Sequence, residues 1–228
     1  MQRTMFCLGF AVLLIWGGES MAQVTARSYS DGGVANARAS GVGQTRLHAE
    51  AAASRGGRAD ARITGSGLAG GRATGSSIAV ADRGRAISRG QSDAYGHGAR
   101  SHVESIAAAT RGVAISRGDA YAEGRGEAIS RSTAIGHYGR AQARSDADAR
   151  GYYGGRSLAE SEAVADAYRG RSFSNSRVQA YADHGGRAVG RGEALGLGWG
   201  RSARAGVEVD SRASFGGRSR AAASHLDW

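Results

Sequence analysis

Arginine recurs at one place in a repeating pattern. Arg58, Arg72, Arg85, Arg140, Arg156, Arg171, Arg187, Arg201 and Arg218 each follow a glycine-bearing turn. A guanidinium pairs in bidentate fashion with carboxylate, phosphate or sulfate. Arginines stacked one above another repel unless something neutralises them. Two readings stand side by side. Acidic residues such as Asp93, Asp119, Asp146, Asp166 and Asp183 compensate the charge and leave a solvated surface. Alternatively, the row is a linear anion-binding stripe for polysaccharide, lipopolysaccharide or extracellular DNA, and its binding is salt-sensitive. A second set, Arg62, Arg89, Arg117, Arg131, Arg144 and Arg191, stands further into the units.

An aromatic row lies near the end of each unit: Tyr95, Tyr121, Tyr138, Tyr153, Tyr168, Tyr181, Trp199 and Phe215. Such rings stack on neighbouring coils and stiffen them. Beside arginines they also form a platform on which sugars or bases stack. A third row is apolar: Ile87, Ile115, Ile129, Leu158, Phe173 and Val189.

Catalytic patterns are not specified. Gly65 to Gly70 matches GxGxxG but opens no helix, so it reads as a turn of the repeat. His97, His137 and His184 fall at turns with no recurring ligand partner, so no metal site is expected. No serine sits in a nucleophile elbow. The expectation is a protein that is not an enzyme and needs no cofactor.

The elements that must carry these rows are short. A unit of roughly fourteen residues restarts after each turn, as in RAISRGQSDAYGHG from Arg85 and VAISRGDAYAEGRG from Val113. A unit this small cannot bury a core alone, so units must stack on each other or on other chains. Within a unit the period is two. Ala163, Ala165 and Ala167 share one face, while Glu162, Val164, Asp166 and Tyr168 share the other. Alanine favours helix, but glycine interrupts every unit and the apolar positions do not recur at three and four. Each unit therefore reads as strand, tight turn, strand, tight turn. The fold expected is all-β: a narrow parallel β-solenoid or β-roll of roughly 14-residue coils rich in Gly, Ala, Ser and Arg. One strand face carries Ala and Ser, the other the isoleucine row, and the sequence leaves open which is inside. The face left outside would serve chain-to-chain packing in a trimer or a fibre.

Composition sets the frame. The net charge is +10, and all thirty basic side chains other than histidine are arginine. Met5 to Trp16 is an apolar stretch after Arg3, and Ser20-Met21-Ala22 suits cleavage, so residues 1–22 are expected to be a signal peptide. The single cysteine, Cys7, falls within it, which leaves an exported chain without disulfides or a transmembrane segment. Residues 23–57 form irregular N-terminal repeats or a cap, 58–217 the repeat array, and 218–228 a C-terminal cap.

Ser132-Thr-Ala134-Ile135-Gly136, followed by Ala141-Gln-Ala143, resembles the head repeats of trimeric autotransporter adhesins. The resemblance implies a β-roll and a role at the cell surface. No stalk heptads follow it here. The strand-turn-strand repeats are more distantly similar to curlin-type secreted subunits, although the Gln and Asn ladders of that family are absent.

The function expected is an exported structural repeat protein: a self-associating surface fibre, adhesin or extracellular-matrix component that contacts anionic polymers through arginine. Exposed end strands would act as templates for further chains. A soluble, capped polysaccharide- or nucleic-acid-binding module is the alternative, and a disordered cationic secreted polymer the third reading.

Overall fold

The computed structural model describes residues 21–69, 71–152, 156–184, 186–199, 202–214 and 217–227. All but two residues of the signal-peptide segment, together with Tyr153, Arg201 and Phe215, lie outside the described residues. Fifteen strands, numbered in chain order, make up two parallel sheets, and no helix occurs among the described residues. The eight-stranded sheet stacks β1 (Ala22–Asp31), β3 (Thr45–Ser54), β5 (Arg72–Asp82), β7 (Arg100–Thr110), β9 (Glu127–His137), β11 (Arg156–Tyr168), β13 (Arg187–Trp199) and β15 (Arg218–Asp227). The seven-stranded sheet stacks β2 (Val34–Val42), β4 (Arg58–Gly67), β6 (Arg85–Gly96), β8 (Val113–Gly124), β10 (Arg140–Gly151), β12 (Arg171–Ala182) and β14 (Ala203–Ala213).

The chain is a β-solenoid of about seven turns, each of about 28 residues across the two sheets. The fourteen-residue unit is thus one strand and one turn, and two units close a coil. The unit does not contain the two strands its turns suggested. The reason is length: strands of 9 to 13 residues use up nearly the whole unit. Residues 23–57 supply β1 to β3 and 218–228 supply β15, so strands run through both terminal segments. This ordered array is at odds with a disordered polymer.

The inner face is the Ala and Ser face. In β7 the buried positions are Ser101, Val103, Ser105, Ala107 and Ala109, each alternating with a more exposed residue. Small side chains let the two sheets approach closely, and the few large inner residues are matched by glycines opposite. A Cβ on Gly75 would lie 2.2 Å from Ile63 Cδ1, and one on Gly90 would lie 2.4 Å from Val103 Cγ1. The sheets run antiparallel to each other across the core, because Ser88 meets Ser77 while Ser92 meets Ala73.

The core is also polar in an ordered way. Ser77 and Ser88 share a hydrogen bond of 2.7 Å, Ser105 donates to Ser88 at 2.8 Å, and Ser132 donates to Ser116 at 2.9 Å. Further along, Ser145 donates to Ser130 at 2.9 Å and Ser176 to Ser161 at 2.8 Å. These hydroxyls zigzag between the sheets and satisfy one another where water cannot reach.

Candidate polyanion-binding face

Strand register decides which arginines stand together. Arg38, Arg62, Arg89, Arg117 and Arg144 occupy equivalent positions on five successive strands, β2 to β10. They form an unbroken column on the outer face of the seven-stranded sheet. Successive strands lie about 4.8 Å apart, so these are in-register like charges. Arg117 pairs with Asp119 at 3.0 Å and Arg144 with Asp146 at 2.9 Å. Arg38, Arg62 and Arg89 have no carboxylate partner among the described residues.

The row that follows the glycine turns divides. Arg58, Arg85, Arg140 and Arg171 begin strands of the seven-stranded sheet, with Val113 between Arg85 and Arg140. Arg72 belongs to the eight-stranded sheet, where it aligns with Arg100, and Arg156, Arg187 and Arg218 form a further column there. Because the sheets run in opposite directions, these two groups begin at opposite edges of the solenoid. The single stripe expected from the sequence is therefore two rows, on different faces. Arg131 and Arg191, likewise, stand on the eight-stranded sheet and pair with Glu162 and Glu160.

The turns that lead into the seven-stranded sheet add arginines that the spacing argument passed over. Arg55, Arg83, Arg111 and Arg169 all have φ near +50°, in the left-handed region, as does Tyr138. Each is followed by a glycine, and Gly84, Gly112, Gly139 and Gly170 pack against the coil before. This edge therefore carries a turn row as well as the row of strand starts, and the mid-strand column lies beside both. Arg55 pairs with Asp31 and Arg58 with Asp60, while Arg83, Arg85, Arg111 and Arg171 have no ion pair among the described residues. The sequence signal was the recurring Arg-Gly dipeptide at these turns.

The apolar row divides as well. Ile87 and Ile115 are adjacent on the seven-stranded sheet, and Gln142 separates them from Phe173. Ile129, Leu158 and Val189 are on the eight-stranded sheet, where Leu158 aligns with Val189 and Ile129 with Glu160. Ile87 is fully buried even though it alternates with the inner residues, so it fills the arginine-lined face and offers nothing for assembly.

The aromatic residues form clusters in place of a ladder. Tyr95 and Tyr121 stand 5.5 Å apart, and the Arg150 guanidinium lies 5.4 Å from the Tyr121 ring. Tyr152 and Tyr181 approach to 6.5 Å on the same side. Tyr138 and Tyr168 meet edge to face at 5.6 Å at the opposite edge, with Arg169 against both rings. Trp199 ends β13. These ring contacts join side chains of neighbouring coils.

A shallow groove lies beside the arginine column, lined by Gln91, Asp93, Asp119, Tyr121, Asp146 and Gln179 among others. Burial pushes the carboxyls of Asp93 and Asp119 above the usual range, although Arg117 opposes this at Asp119. Tyr121 donates to Glu123 at 2.7 Å, and burial followed by that bond raises its phenol. Among the turn histidines, His184 contacts Asp183 at 2.8 Å and His137 packs near Tyr168. No group of metal-binding side chains occurs among the described residues.

No protein-family model matches the chain, and no curated protein or solved structure is significantly similar to it.

Proposed function

We propose that this chain is an exported structural repeat protein that self-associates as a surface fibre, adhesin or matrix component and holds an anionic polymer on the outer face of its seven-stranded sheet. The observation that carries the reading is the in-register column Arg38, Arg62, Arg89, Arg117 and Arg144, three of which lack a carboxylate partner. A column of like charges on adjacent strands is unfavourable by itself. A polymer bearing regularly spaced carboxylate, sulfate or phosphate groups relieves that repulsion and gains bidentate contacts. Polysaccharide, lipopolysaccharide and extracellular DNA all present such groups, and each meets an exported protein.

Single-stranded DNA serves as a probe because its salt dependence is calibrated. The logarithm of its binding constant should fall linearly with the logarithm of salt concentration, by about 0.7 per phosphate contact. The Arg62→Ala/Arg89→Ala variant should flatten that slope by about 1.4. Binding that ignores salt, or a double variant indistinguishable from the original, overturns the reading. An acidic polysaccharide tested in the same way ranks the candidate polymers.

A second reading, a soluble polysaccharide-binding module, is favoured by the groove at Tyr121, where amide, carboxylate and ring surfaces converge as they do around sugars. Negative-stain electron microscopy separates the two: filaments or rods support the scaffold, and monodisperse particles support the module.

A further inference from the structure

The outer face of the eight-stranded sheet differs from its counterpart. Register aligns Ile78, Ile106, Thr133, Val164, Leu195 and Leu226 on successive strands β5 to β15. The next outward column carries Val80, Ala108, Ile135, Asp166 and Leu197. Those on β5 to β13 alternate with buried Ala, Ser and Gly positions, so they point away from the core, whereas Leu226 lies on β15, whose described side chains are all exposed. Val80 is 45% exposed and Leu226 49% exposed, and the others are half-buried by their neighbours in the stripe.

We infer that this apolar stripe is the surface through which a second copy of the chain packs, sheet face against sheet face. The inference rests on the self-association part of the proposed function and assigns a surface to it. Eleven outward positions, six in the first column and five in the second, at about 4.8 Å between strands and about 6.8 Å along them, give a stripe of about 350 Å², interrupted in the second column by Asp166. A contiguous patch of that size is at the scale that marks an interaction site on a soluble protein. The whole sheet face, eight strands of ten or more residues, spans about 1,300 Å². A standard stable interface needs about 800 Å² from each partner. A second solenoid therefore covers the stripe and part of its charged flank, which holds both signs in the pairs Arg131–Glu162 and Arg191–Glu160.

The test uses the full chain, with sedimentation across a wide concentration range and circular dichroism on each variant. Ile106→Glu and Leu195→Glu should each weaken self-association by at least about tenfold while the strand spectrum is kept. Phe173→Glu, on the opposite face, should leave it unchanged. Stripe variants that assemble as the original does overturn the inference and leave self-association standing. An original chain that is monomeric throughout overturns both. A monomer that floats with zwitterionic vesicles, and loses that binding in Leu195→Glu, assigns the face to a lipid surface and also overturns the inference. A labelling measurement stands apart from any folding defect in the glutamate variants. In a Cys7→Ser background, Thr133→Cys should react slowly with maleimide when concentrated and faster on dilution, whereas Gln142→Cys reacts equally at both. Concentration-independent labelling at 133 overturns the inference.

Discussion

Replacing Gly112 with alanine should be among the most damaging single-methyl additions in this chain. Gly84, Gly112, Gly139 and Gly170 stack at one edge, each in the coil after the last. A Cβ on Gly112 would lie 1.9 Å from the carbonyl oxygen of Gly84, where ordinary contact begins at 3.4 Å. The obstacle is backbone, so no rotamer change relieves it, and the coils must part locally by about 1.5 Å. The same carbonyl accepts the Val113 N–H at 3.1 Å, a bond that such a shift breaks. Overpacking costs about 1–3 kcal/mol, and each lost hydrogen bond about 1 kcal/mol more. A total of about 2–4 kcal/mol lowers Tm by about 10 °C for a chain of this size. Gly98 supplies the control. Its φ is +79° and a Cβ there would meet nothing within 4 Å, so Gly98→Ala has only the left-handed backbone penalty of about 1–2 kcal/mol. Thermal and urea unfolding followed by circular dichroism measure both variants. Equal shifts for the two would refute the close-stacking account of this edge.

Two further perturbations test the core and the outer charge. Ser105→Ala removes a buried donor to Ser88, and should cost about 1 kcal/mol. Ser157→Ala should be neutral or stabilising, because the Ser157 hydroxyl is buried without a partner; the opposite order in urea midpoints would sink the ladder argument. Burial, followed by the nearby Arg131, holds His102 below the ordinary histidine value of 6.5. The unfolded chain therefore takes up that proton first, and stability falls as pH drops below 6.5 until the folded value is passed. His102→Gln should flatten this part of the Tm–pH curve, and an NMR titration midpoint at or above 6.5 in the original chain would contradict the assignment.

The alternation of Ala163, Ala165 and Ala167 with larger residues, bounded by glycine turns, was sufficient to give a parallel β-solenoid. Pairing was harder to see, because each unit resembles the one after it. Strand β6 pairs with β4 and β8 and packs across the core from β5 and β7, so like residues two units apart stand side by side. Treating all units as equivalent merged Arg58 with Arg72 and Ile115 with Ile129, which belong to different faces. A signal for the true period was present in the sequence. Alternate units carry Ile78, Ile106, Ile135 and Leu195 toward their ends, whereas the units between them carry Asp93, Asp119 and Asp148 there; the mid-unit arginine recurs in both sets, as Arg117 and Arg131 show. The inner face was not legible by hydrophobicity, because isoleucine outranks alanine on any such scale. Close approach of two sheets reverses that order, and the larger residues are admitted inside only opposite a glycine, as Ile63 is opposite Gly75.

The two outer faces divide the chemistry between them. The seven-stranded sheet presents the arginine column and the groove at Tyr121; the eight-stranded sheet presents Ile78, Ile106, Val164 and Leu195. They share no side chain and are separated by the Ala and Ser core, so substitutions on one should add to those on the other. The division also couples them. On the proposed function, two copies packed through the apolar stripe would turn their arginine columns outward on opposite sides. Such a pair would hold two polymer strands, or two stretches of one, with the second contact forming at the effective concentration set by the first. Weak, salt-sensitive contacts at each column would then become a cross-link. A monomer with the same column would only coat its polymer, which is why self-association, more than the affinity of any single arginine row, decides whether this chain can act as a matrix component.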